Sequence, residues 1–154
     1  MDISPHISYK EAVYSDTAKK LGIINIPDFE QLSKMVTVAN EIFEPVRKHF
    51  GVPIHVSSFF RSIELNKVIG GSKTSQHVLG EAMDIDADKY GKITNRQLFN
   101  YIKDNLKFDQ LIWEFGTDKE PDWIHVSFKK TNNRGEILKA YRDSNDNVKY
   151  KQYK

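Results

Sequence analysis

The residues best suited to chemistry are two histidines and an aspartate. His77 closes Ser75-Gln76-His77, Asp84 follows seven positions later, and His125 lies in Trp123-Ile124-His125-Val126-Ser127-Phe128. The chain has no cysteine, which excludes disulfides, thiolate metal sites and a cysteine nucleophile, and leaves His, Asp and Glu as the strong metal ligands. Two histidines and one carboxylate, with a fourth position open to water, are what a catalytic zinc requires. The local pattern allows them to meet. From Glu81 to Ala87 the chain alternates, so Ala82, Asp84 and Asp86 share one face of a strand and Met83, Ile85 and Ala87 the other. In the second strand Trp123, His125 and Ser127 share a face opposite three apolar side chains. Gly80 lets the backbone reverse between them, so the His77 ring can lie over the acidic face. Asp86 is an alternative to Asp84 on this reading. The run Asp84-x-Asp86-x-Asp88 has the outline of a calcium loop, but Lys89 and Asn95 stand where such a loop needs Gly and Glu. His49, near a helix end, and His55, on a polar strand face, read as structural, and His6 falls in an N-terminal segment expected to be mobile.

Several elements must position these groups. A short helix is expected from Ser15 to Gly22, and a longer one over 29–50. In the longer one Phe29, Leu32, Met35, Val36, Ala39, Ile42, Phe43, Val46 and Phe50 follow the spacing of one buried face, with Pro45 as an internal break. Strands are expected over Pro53–Phe60, Glu81–Ala87, Phe108–Phe115 and Trp123–Phe128, with a short helix capped by Ser62 and another over Thr94–Leu106 opened by a Thr94/Gln97 capping box. Helices followed by strands imply an α+β fold, a small mostly antiparallel sheet with helices packed on one side. Residues 1–154 fit a single domain, with 142–154 a polar C-terminal tail carrying one edge strand near Val148.

Composition excludes more than it assigns. With 23 basic and 21 acidic side chains interspersed, the net charge of +2 leaves no footprint for nucleic acid. No run approaches the roughly 20 apolar residues of a membrane span, and Met1–Lys10 lacks the pattern of a signal peptide. The expectation is a monomer made in the cytoplasm, with neither nucleic acid nor membrane as partner.

Four segments carry a resemblance. Ser57-Ser58-Phe59-Phe60-Arg61-Ser62, Gly70-Gly71-Ser72, the stretch from Ser75 to Ile85, and Asp122-Trp123-Ile124-His125-Val126-Ser127 together resemble the zinc D-Ala-D-Ala carboxypeptidase family, which includes phage lysins and vancomycin-resistance dipeptidases. The family's order of Ser-x-His, six residues, Asp, then a later His preceded at three residues by an acid is matched, and the likeness extends from about Ser15 to about Arg134. It implies a hedgehog/D-Ala-D-Ala peptidase-like fold, zinc on His77, Asp84 and His125, Asp122 as the catalytic acid/base, and Arg61 and Ser75 in contact with substrate. It favours Asp84 over Asp86. The activity implied is hydrolysis of peptide bonds in bacterial peptidoglycan stems, as a D-Ala-D-Ala carboxypeptidase or a lysin-type endopeptidase. Such an enzyme acts on the cell wall after release or from a phage particle. A cytosolic D-Ala-D-Ala dipeptidase and a non-catalytic, hedgehog-like zinc module are the alternatives.

This chain departs from the family at Phe59-Phe60, where Gly-Tyr is common, and at Asp122, where Glu is frequent. Residues three apart in a regular strand face opposite ways, so Asp122 joins His125 only if the strand starts after Asp122, which Pro121 allows. Glu114 and Glu120 compete with Asp122, and Glu114 could instead orient a ligand.

Overall fold

The computed structural model describes residues 1–154. The N-terminus is anchored rather than mobile: Asp2–Ser4 (β1) and Ile7–Ser8 (β2) make a small hairpin whose His6 is held by the Glu44 carboxylate, and Ser8 caps Tyr9–Val13 (α1) in a capping box with Glu11. Ser15 caps Asp16–Leu21 (α2), which stops at the left-handed Gly22, in line with its sequence. The helix expected over 29–50 comes in three pieces: Phe29–Val38 (α3), a π-helical turn at Ala39–Phe43, and Glu44–Phe50 (α4) with Pro45 in its first turn. Proline has no N–H to donate and its ring crowds the turn before it, so the helix widens there. Phe29, placed in the buried face by its spacing, is instead 87% exposed, because the helix meets the core only from Leu32 onward.

The remaining elements are His55–Ser58 (β3), Ile63–Val68 (α5), Ala82–Asp86 (β4), Asn95–Asn105 (α6), Gln110–Glu114 (β5), Trp123–Ser127 (β6), Glu136–Arg142 (β7) and Val148–Gln152 (β8). Ser62 caps α5, and the Thr94/Gln97 capping box opens α6. Strands β3 to β8 form one sheet in the order β3-β4-β6-β5-β7-β8. The α+β class stands, but the sheet is mixed rather than mostly antiparallel, since β5 and β7 run parallel. The cause is the segment 128–135, which passes from the end of β6 around the start of β5. Asp109, just before β5, fixes that crossover: its carboxylate accepts from the Arg134 backbone and guanidinium, and its carbonyl accepts from Glu136. The polar C-terminal stretch is part of the sheet as β8, and Tyr153 beyond it packs on Trp113 and Phe99.

The alternation read from the sequence sets the two faces of the sheet. Met83, Ile85, Leu111, Trp113, Ile124 and Val126 join Met35, Val38, Ile42, Phe43, Leu98, Phe99 and Ile102 from the helices in one core. Each large apolar side chain fully buried there contributes about 1.5–3 kcal/mol. The other face carries Asp84 directly opposite His125, His125 opposite Ile112, and Glu114 one row along. No helix is long and apolar enough to cross a membrane.

Candidate metal centre

His77 arrives on a loop held from three directions. Its N–H is accepted by Ser75 Oγ, the Arg61 N–H donates to its carbonyl, and the side chains of Gln76 and Gln31 bind Asp109 and the Val78 carbonyl. Gly80 closes the loop with φ +76°, and a Cβ there would meet the Gln31 carbonyl oxygen at 2.5 Å, so no other residue fits without displacing α3. The His77 Nδ1 lies 2.7 Å from the Phe59 carbonyl oxygen. That contact is made by a protonated Nδ1, which leaves the Nε2 lone pair aimed into the site.

Asp84 is the hub. Its Oδ1 lies 3.3 Å from His77 Nε2 and 3.1 Å from His125 Nδ1, while its Oδ2 faces the Arg61 guanidinium at 3.5 Å. His77 Nε2 is buried yet makes no hydrogen bond: with its proton on Nδ1, it and the Asp84 carboxylate are both acceptors. The ligand atoms of His77, Asp84 and His125 all lie within 4.8 Å of one another. Atoms bound about 2.0–2.1 Å from a tetrahedral zinc are about 3.4 Å apart, close to the two His–Asp separations. An orphaned buried nitrogen, a second imidazole and an ionised carboxylate at this spacing fit a zinc ion. Burial pushes the Asp84 carboxyl up, but the His77 and His125 rings, in the forms that carry a proton toward it, outweigh burial and hold the group well below the usual carboxylate range. Burial lowers the pKa of His77, which keeps it neutral and able to bind metal.

Arg61, three residues past β3 in the loop before α5, is held by Ser58 Oγ and Asn66 Oδ1, each at 3.3 Å, as well as by Asp84. Asn66 was not singled out from the sequence. A polar residue facing inward on a six-residue helix ahead of Gly70-Gly71 was the available signal, and its Nδ2 also ties down the Ser72 carbonyl. The Ser75 hydroxyl accepts the His77 N–H, which leaves its own O–H able to donate.

The two candidate acids part company. Glu114 lies on the same face as Asp84 and His125, diagonal to His125, and is 8% exposed. Burial raises its carboxyl to about 7; the Asp84 charge adds to this, and His125 and Arg61 offset part of it. Asp122 is exposed and precedes β6, donating its N–H to the Glu114 carbonyl while its own carbonyl accepts from Asn95. Its charge acts, with those of Asp86 and Glu120, on Asp88. Glu120 accepts the Arg96 N–H at the start of α6, and Asp86 accepts from Asn95, so neither reaches the His77–Asp84–His125 cluster.

No curated protein matches the chain. The family model for peptidase M15, a family of zinc-dependent peptidases, matches residues 5–127, which take in every residue of this site. With most of its length matched and a His-Asp-His cluster suited to zinc at the centre of the matched region, the chain belongs to the peptidase M15 family.

Proposed function

We propose that the protein hydrolyses peptide bonds in the stem peptides of bacterial peptidoglycan, with zinc on His77, Asp84 and His125 and with Glu114 as acid/base. The observation that carries this reading is the buried, unpartnered Nε2 of His77 facing Asp84 and His125. Zinc held by these side chains supplies, when bound, a water acidic enough to be a nucleophile near neutral pH and a positive charge beside the carbonyl under attack. Glu114, buried on the sheet face shared with Asp84 and His125, accepts a proton from the attacking water and returns it to the leaving amine. Arg61, charged and fixed beside Asp84, stabilises the oxygen on which negative charge develops and keeps the Asp84 carboxylate turned toward the histidines.

Glu114 takes precedence over Asp122 because it shares a sheet face with two of the metal ligands and is shielded from water, whereas Asp122 is exposed among other acids. The resemblance to lysins and carboxypeptidases supports the stem peptide as substrate. Mass spectrometry of purified peptidoglycan incubated with the zinc-loaded and the chelated protein tests this. New peptide termini that require zinc are expected; free alanine would mark the carboxypeptidase reaction and longer fragments the endopeptidase one. Stem peptides left intact by the zinc-loaded protein would overturn the reading.

A further inference from the structure

The family match ends at residue 127, yet the face of the sheet that carries the site does not. Beyond β5 it continues through β7 and β8. Glu114 stands opposite Ala140, and Ala140 stands opposite Tyr150. Residues opposed in neighbouring strands leave the sheet on the same side, so Tyr150 shares its face with Glu114, His125 and Asp84. Two strand spacings, about 10 Å between backbones, separate Tyr150 from Glu114, and only the methyl of Ala140 intervenes. Ala140 is completely buried although every residue of β8 is exposed, which is what a ring lying across it produces.

The rest of the hairpin is tied down on the opposite face. Tyr153 packs at 4.8 Å on Phe99 and 5.8 Å on Trp113, its N–H donates to the Ile137 carbonyl, and Lys139 pairs with Asp118. Tyr150 has no such role. It is 55% exposed and its hydroxyl has no hydrogen-bond partner within the protein. Burial raises its phenol pKa and the Glu114 and Asp84 carboxylates add to that, so the hydroxyl stays protonated and available as a donor near neutral pH.

We propose that Tyr150 is a substrate-binding residue whose hydroxyl donates a hydrogen bond to an amide or carboxyl oxygen of the peptide, on the leaving-amine side of the scissile bond. This rests on the peptidase reading above. The side follows from placement: Arg61 lies at the β3 flank of the His-Asp-His cluster and Glu114 at the other. Since Glu114 delivers the proton to the leaving amine, the part of the peptide that departs runs over Ala140 toward Tyr150. The β7–β8 hairpin thus forms a wall of the binding cleft.

The test is steady-state cleavage of a synthetic stem pentapeptide by the zinc-loaded protein and its Tyr150→Phe variant, which keeps the ring and loses only the hydroxyl. Loss of one neutral hydrogen bond to bound substrate should raise KM about three- to ten-fold and leave kcat within about two-fold. In the Glu114→Gln background, calorimetry with the same pentapeptide should show affinity falling by a similar factor on adding Tyr150→Phe. Lys149→Ala, on the opposite face of β8, should leave KM unchanged. Cleavage by wild type with the same KM and affinity in Tyr150→Phe would overturn the role of Tyr150 alone. If wild type neither binds nor cleaves the pentapeptide, both this inference and the reading beneath it fall.

Discussion

Asp84 on β4 and Asp109 before β5 are both buried carboxylates held below their usual pKa. Their partners differ. Asp109 is surrounded by groups that satisfy it: Arg134 through backbone and side chain at 2.7–3.2 Å, Gln76 at 3.1 Å and Lys129 at 3.4 Å. Asp84 faces two imidazoles, one of which has a buried nitrogen without a hydrogen bond. A buried polar group left unpaired costs about 1–3 kcal/mol. A fold that leaves a buried imidazole nitrogen unpaired beside one carboxylate, while the groups around the other are all paired, reserves the first cluster for a ligand. The two clusters are also joined: Gln76 reaches Asp109 from the loop that presents His77, one of several ties on that loop.

The contrast is broken most severely at Glu114. Glu114→Gln should keep zinc and fold and lower turnover at least 100-fold, the usual scale for loss of an acid/base, as measured by steady-state cleavage of stem peptides. Next comes the stability of the chelated protein. Burial raises Glu114 from 4.5 to about 7 on folding, so its favourable contribution is complete below about pH 4.5 and is lost as pH rises through 7. Glu114→Gln should therefore be more stable than wild type at pH 8 by on the order of 2–3 kcal/mol. Denaturant titrations should show that gap vanishing near pH 4.5 and shrinking on addition of zinc, whose charge favours the carboxylate.

At Asp109 the sign reverses. Its depressed carboxyl stabilises the fold above the unfolded pKa of about 3.9 and ceases to do so as pH falls through its lower folded value. Asp109→Ala should cost about 1–3 kcal/mol at pH 7 by leaving the Arg134 and Gln76 donors without their acceptor. The deficit should narrow below pH 4, while zinc stoichiometry holds. Smallest of all is Asp122→Asn, expected to leave turnover within about three-fold of wild type. A hundred-fold loss there, with Glu114→Gln active, would return the acid/base role to Asp122.

The sequence makes the grouping of His77, Asp84 and His125 readable because two strand alternations and one glycine turn decide which way three side chains point. The choice between Glu114 and Asp122 is not readable in this way, since it depends on where β6 begins and on how β5 pairs with it. The crossover to β7 was missed because Glu136-Ile137-Leu138-Lys139-Ala140-Tyr141-Arg142 mixes charged and apolar side chains on both faces. The same difficulty hid Tyr150, whose strand has no buried residue to give it a period. Phe29 failed for the opposite reason: helical periodicity gives a direction, not the point at which the helix meets the core.

Zinc content after equilibrium dialysis tests the comparison most directly, using wild type, Asp109→Asn and His77→Ala side by side. The account predicts about one zinc per chain in wild type and in Asp109→Asn, and none in His77→Ala. Stoichiometric zinc in His77→Ala, or none in wild type, would contradict it.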